Sequence, residues 1–355
     1  MTPKTPSPRF PKAHGSTAVD TGRSSARRPT FLIAATLLSL FLATAVVGYF
    51  NAAAVLAAMK PIGVGGFLAV VVAQIALYAP LGLAWWLASG EGVRRIALFS
   101  WGSAVAEATA NILPLSQIGG ALFASRAVAL GGVARPRAMG SNIADITMEI
   151  AAQLLYTLVG LAILVSHLGL TARRNPLLAP LVLGFILAAG LVAAFIVIQR
   201  RGLPSLEALA RRLNLPATRR TQSVRRVIEA IYHQPLRLLA CFGVHLFAWF
   251  AAAGGAWLIL DLIGRPLPLT SVLAIESLLL AIRNAAFFAP AGLGVQEGAY
   301  AVLGPLFGLP PEAAIALSLL KRGRDIAIGV PVLISWQVME TRHSLRRRVR
   351  SSSGT

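Results

Sequence analysis

Charge is what this 355-residue chain has least of: only 13% of its residues are Asp, Glu, Lys or Arg, while 56% are hydrophobic. A soluble domain carries about 25% charged residues, so too little charge is present to cover a soluble surface. Cysteine is nearly absent. The single Cys241 excludes an intrachain disulfide and a Cys-based metal cluster, and its place in an apolar run reads as packing. Acidic residues are also few, 13 against 33 basic ones, which leaves a net charge of +20. On count alone that excess fits nucleic acid, but its distribution excludes it. The bases gather at the N-terminus (Lys4, Arg9, Lys12, Arg23, Arg27, Arg28), in the middle (Arg200 to Arg226) and at the C-terminus (Arg342 to Arg350), with long apolar runs between. Such blocks mark cytoplasmic loops of a membrane protein and attract anionic headgroups. Catalytic signatures are missing too: there is no HExxH, no GxSxG, no Walker loop and no Asp-rich diphosphate motif. Of five histidines only His245 lies deep in an apolar segment. No catalytic residue, cofactor or metal site is read from the sequence.

What is present is a set of membrane-length apolar runs. Residues 1–30 are rich in Pro, Ser, Thr and bases and read as a disordered cytoplasmic tail. Phe31 to Phe50 is long enough to cross the hydrocarbon core and is read as a retained first helix rather than a cleaved leader. Further spans are expected at 62–88, 139–168, 177–199, 236–263 and 309–336. The basic stretch 200–235 contains two short amphipathic helices split by Pro216, with Leu206, Leu209 and Leu213 on one and Val224, Val227, Ile228 and Ile231 on the other. It reads equally as a pair lying on the anionic inner leaflet or as a solvated linker.

Two apolar stretches, 97–131 and 270–308, are broken at their centres. The first break contains Asn111, Pro114, Gln117, Gly119 and Gly120; the second contains Asn284, Pro290, Gly292, Gly294, Gln296, Glu297 and Gly298. Proline removes a donor and clashes with the preceding turn, and irregular backbone at membrane depth survives only where protein or a wet cavity satisfies it. Both stretches therefore read as re-entrant hairpins. The resulting fold class is an all-α polytopic membrane protein with about six full transmembrane helices, two oppositely oriented hairpins and both termini inside. The shared order of Asn, Pro, Gly and Gln hints at an inverted repeat, in which broken segments mark the binding site.

About half of the acidic residues lie inside apolar stretches: Glu107, Asp145, Glu149, Glu276, Glu297 and Asp325. An ionised group at the bilayer centre costs at least about 2.5–3.5 kcal/mol, so they mark interhelical ion pairs or a polar pathway. Asn142, Asp145, Glu149 and Gln153 recur at helical spacing and form one polar stripe. Glu276 and Arg283, seven apart, are expected to pair within the second hairpin. Lys321, Arg322, Arg324 and Asp325 interrupt the last helix, with at least one base facing the stripe. A half-helix restarting after Gly294 would aim free N–H groups into the membrane interior; with Arg283, Lys321 or Arg322 they would make a headgroup pocket for an anion. The same glycines also suit plain tight helix packing.

The stretch Phe287-Phe-Ala-Pro290-Ala-Gly292-Leu-Gly294-Val-Gln296-Glu297-Gly298, followed by Ala316-Leu-Ser-Leu-Leu-Lys321-Arg322-Gly-Arg324-Asp325, resembles the flippase-like membrane domain of lysylphosphatidylglycerol synthases. Within that superfamily the chain is most similar to the hopanoid-biosynthesis-associated HpnL-type proteins, and the likeness runs over 31–340, with Leu113-Pro114 and Gly119-Gly120 in its first hairpin. The resemblance implies movement of a lipid, an anionic phospholipid or a hopanoid-related one, across a bacterial inner membrane. It does not imply aminoacyl transfer, because the synthases' catalytic domain would follow the membrane part and this chain ends about 15 residues past the last apolar run. Alternatives are a non-transporting accessory subunit beside lipid-biosynthetic membrane proteins and a membrane-embedded lipid-modifying enzyme, the latter disfavoured because nothing pairs Glu297 or Asp145 with a nucleophile.

Overall fold

The computed structural model describes residues 52–112, 116–168, 219–286 and 294–352, together with the isolated helical positions 186 and 190. Among the described residues the secondary structure is entirely helical. The elements are α1 (Ala52–Met59), α2 (Gly63–Ser89), α3 (Ile96–Ile112), α4 (Ser116–Leu130), α5 (Arg135–Leu168), α6 (Arg219–Tyr232), α7 (Pro235–Leu262), α8 (Leu269–Ala285), α9 (Val295–Leu306) and α10 (Pro311–Ser352). Prolines set several of the starts. Pro235 sits in the first turn of α7 and Pro311 opens α10, positions where the missing N–H costs nothing.

Among the described residues three helical runs are long and apolar enough to cross a membrane: Ala53–Ser89, Arg135–His167 and Pro235–Leu262. They match the spans expected at 62–88, 139–168 and 236–263. The span expected at 309–336 falls, from residue 311 on, within α10, a helix of 42 residues whose first half carries the Lys321–Asp325 charges. The two interrupted stretches each form a pair of short helices. α3 and α8 have 17 residues each, α4 has 15 and α9 has 12. At 1.5 Å per residue such arms reach about 18–26 Å, short of the ~30 Å hydrocarbon core. The helix expected at 31–50, that at 177–199 apart from positions 186 and 190, and the amphipathic helix with Leu206, Leu209 and Leu213 lie outside the described residues, as do Pro114, Pro290 and Gly292 and the side chain of Gln117.

Packing is inverted relative to a water-soluble protein. Leu236 is 81% exposed and Val64 78%, while Glu297 is 1% and Arg324 7% exposed. Exposed aliphatic side chains are at no disadvantage in lipid, whereas ionised ones are stable only when enclosed and paired. The largest core joins α2, α5, α7, α8, α9 and α10 through residues such as Val70, Leu161, Ile259, Ile275, Tyr300 and Leu317. A second, around Trp85, Phe99 and Val128, ties α2 to α3 and α4. Small residues permit the closest approaches. A Cβ on Gly160 of α5 would fall 1.6 Å from Ser277 Oγ of α8, so the two helices meet where only glycine fits.

α6 corrects one reading of the sequence. Its apolar residues Ile228 and Ile231 are buried, Ile231 packs with Ala144 and Leu238, and Val227 lies against Gly140. That face is taken up by α5 and the start of α7 rather than by the leaflet, because a covalently tethered apolar partner is already in place.

Candidate functional site

A cavity of about 520 Å³ opens between α2, α3, α5, α7, α8 and α10. The polar stripe of α5 forms one wall: Asn142, Asp145, Glu149 and Gln153 all line it. Opposite stand Glu107 and Asn111 of α3, with Gly120 of α4 beside them, then Glu276, Arg283 and Asn284 of α8, and Lys321, Arg324 and Asp325 of α10. A smaller cavity of about 200 Å³ shares Asn111, Arg283 and Asp325 with it and adds Gln296 and Arg322. Residues expected from four separate stretches of sequence are thus gathered in one place. Gly119 stands apart: a Cβ there would meet only Phe123.

The two short helix pairs and the stripe are knitted together by amides. Arg283 Nη2 donates to Asn111 Oδ1 at 3.4 Å, and Asn284 Nδ2 donates to Gln153 Oε1 at 2.8 Å. Asn111 also donates to Glu107 at 3.1 Å, and Gln153 to Glu149 at 3.4 Å. Asn111 and Gln153 each donate to a carboxylate on their own helix and accept from a neighbour on another.

Ion pairing departs from the expected pattern. Glu276 pairs with Lys321 of α10, not with Arg283, and Tyr300 of α9 donates to the same carboxylate. Two turns of a helix separate positions seven apart by about 10 Å, so the facing helix supplies the nearer cation. Arg324 lies 2.7 Å from its neighbour Asp325. Lys321 and Arg324 do face the cavity that holds the stripe, as expected of at least one base in that run.

Gly294 and Glu297 carry the second correction. α9 does restart after Gly294, whose φ of 77° suits glycine. Its N-terminus is not an open anion site: Glu297 Oε2 accepts the Gly294 N–H at 2.8 Å. Glu297 also accepts from Arg322 Nε at 2.9 Å and from Ser318 Oγ at 3.2 Å, while Gln296 Nε2 donates to Ser318 Oγ at 2.9 Å. The protein's own carboxylate fills the place an anion would take. An acidic residue three positions after the cap is the sequence sign of such a capping box.

Charges on the main cavity's wall are of both signs. Five carboxylates (Glu107, Asp145, Glu149, Glu276, Asp325) share the wall with three basic side chains (Arg283, Lys321, Arg324). Glu276 and Asp325 are paired to Lys321 and Arg324. Among the described residues Arg283 has no carboxylate at ion-pair distance, and Glu107 and Glu149 have no cation there. The wall also carries the buried hydroxyl of Tyr156 and the indole N–H of Trp249, both without a hydrogen-bond partner among the described residues. Their rings stack at 6.3 Å.

The sequence did not foretell the polar floor of the cavity. His245 Nε2 lies 2.8 Å from Asp145 Oδ1, and Cys241 Sγ reaches the same oxygen at 3.5 Å. All three residues are buried. Cys241 and His245 are one turn apart on α7, which is legible; their register against Asp145, about 100 residues earlier, is not.

No curated protein and no solved structure matches the chain. The profile of the lysylphosphatidylglycerol synthase TM region matches residues 31–332, as the Pro290-to-Gly298 and Lys321-to-Asp325 stretches suggested. With its apolar spans and its charges turned inward, this is a membrane protein, and it belongs to the lysylphosphatidylglycerol synthase TM-region family.

Proposed function

We propose that the protein moves a lipid across the bilayer, with the headgroup held in the central cavity and the acyl chains left in the membrane. The observation that carries this reading is Arg283, which lines a 520 Å³ cavity, bonds an amide oxygen and has no carboxylate at ion-pair distance among the described residues. An arginine so placed is a ready partner for a phosphate, through paired charge-assisted hydrogen bonds. Glu107 and Glu149, which lack a basic partner, give the cavity an acidic side as well. A phospholipid headgroup that offers more than a bare negative charge matches those walls better than an anion alone; a hopanoid-related lipid with a polar tail presents a similar polar head.

The topology proposed with this function has six spans, the α3/α4 and α8/α9 pairs as re-entrant hairpins entered from opposite faces, and both termini at the cytoplasmic face of a bacterial inner membrane. The short arms and the basic blocks support it. Movement is passive or coupled to protons through Asp145 and Glu149. The protein's partners are membrane lipids, alongside membrane proteins of lipid (hopanoid) biosynthesis.

Reconstitution tests this reading. Purified protein in liposomes with fluorescent phospholipids of several headgroups should transfer label between leaflets faster than empty vesicles. No transfer for any headgroup would overturn it. A deletion strain whose lipid totals change, with no transfer in vitro, would point instead to an accessory subunit.

A further inference from the structure

Asp145, Cys241 and His245 stand out because they combine a carboxylate, a thiol and an imidazole inside a membrane protein. Their ligand-capable atoms all lie within 4.8 Å of one another, and all three residues are buried. We propose that they form a binding site for one divalent transition-metal ion of the zinc type, at the wall of the central cavity.

The donor set is the first argument. Oxygen, nitrogen and sulfur in one cluster suit a borderline-soft ion such as Zn²⁺ and not Mg²⁺ or Ca²⁺, which take oxygen ligands. Geometry is the second. Zn–S of about 2.3 Å and Zn–O of about 2.0–2.2 Å at tetrahedral angles set sulfur and oxygen roughly 3.5 Å apart. The Cys241–Asp145 distance already is 3.5 Å. The same construction puts nitrogen and oxygen about 3.4 Å apart, so the 2.8 Å His245–Asp145 contact opens by about half an ångström once the proton between them is gone. Either ring nitrogen can carry that proton, because Nδ1 has no hydrogen-bond partner among the described residues.

Charge is the third argument. Five carboxylates, Asp145 among them, against three basic side chains leave the cavity wall acid-rich, and among the described residues Asp145 has side-chain contacts only with His245 and Cys241. A divalent ion offsets the Asp145 carboxylate and a Cys241 thiolate to zero. Binding turns Cys–SH and M²⁺ into an M–S bond and one released proton. Water from the cavity takes the fourth position of a tetrahedral site. The site does not depend on the lipid reading: metal binding and lipid movement are separable measurements.

Cobalt is the probe, added to tag-free, metal-stripped, full-length protein in detergent. The expected result is one Co²⁺ per chain with the visible bands of a tetrahedral site and a near-ultraviolet thiolate-to-cobalt band, displaced by Zn²⁺. Cys241→Ser should remove the thiolate band, and Asp145→Asn and His245→Gln should each weaken binding about tenfold or more. Size-exclusion profiles and helical content, unchanged in Cys241→Ser, separate loss of a ligand from loss of fold. Absence of stoichiometric Co²⁺ or Zn²⁺ binding by the wild-type protein overturns the proposal. So does binding whose spectrum is the same in Cys241→Ser.

Discussion

Arg283 at the end of α8 donates to Asn111 at the end of α3, so the first arms of the two short helix pairs meet by their C-terminal turns inside one cavity. The C-terminal end of a helix carries partial negative charge. A cation there is stabilised without any carboxylate. Arg283 can therefore stay charged at membrane depth while its remaining donors stay available.

The Lys321–Glu276 pair is the opposite case. Both side chains are nearly enclosed, 12% and 9% exposed, and Tyr300 donates to the same carboxylate. Removing one member strands a charge in a low-dielectric interior at a cost of about 3–5 kcal/mol. Lys321→Met should therefore lower thermal stability in detergent sharply, and Lys321→Met with Glu276→Gln should recover much of the loss. Fluorescence-detected thermal unfolding of the two variants checks this. Equal losses in both would show that the pair does not hold α8 to α10.

Gly160 marks the contact of α5 with α8. Gly160→Ala would drive a methyl into Ser277 Oγ, and overpacking of this kind costs about 1–3 kcal/mol. Ser277→Gly removes the obstacle and leaves Ala274 Cα 3.4 Å away, an ordinary contact. The double variant should be more stable than Gly160→Ala alone, as measured by melting temperature.

Arg126 of α4 grips Glu340 of α10 with two hydrogen bonds of 2.9 and 2.7 Å. Those bonds hold the Glu340 carboxyl below its usual range. A depressed carboxyl stabilises the fold above its unfolded-state pKa, about 4.3, and loses that contribution as pH falls through the folded value. The stability difference between wild type and Glu340→Gln should be largest near neutral pH and vanish in acid. It should also be small, because pairs open to water are worth about 0–1 kcal/mol. Melting temperatures across a pH series measure both features.

Much of this architecture is legible in the sequence because the membrane imposes a simple rule. Apolar length fixes the spans at 62–88, 139–168 and 236–263 to within a few residues, and the Pro/Gly breaks locate both short helix pairs. The Asn142, Asp145, Glu149 and Gln153 stripe is legible because it needs only one helix and its period. Pairings across helices are not. Glu276 takes Lys321 rather than Arg283, and Asp145 takes His245 and Cys241, since partner choice follows the rotation of each helix in the bundle. Glu297 is a different kind of miss. Its position three residues after Gly294 already signalled a cap, yet the dipole at that terminus drew attention to an outside anion instead.

Lipid movement by wild type and Arg283→Gln, compared in matched proteoliposomes, is the most direct measurement. A charge-assisted hydrogen bond is worth about 1.5–3 kcal/mol, so the rate for a phospholipid that wild type moves should fall about tenfold or more in Arg283→Gln. Arg283→Lys should recover part of it, and all three proteins should melt alike. Transfer by Arg283→Gln at the wild-type rate would contradict a headgroup site at this arginine.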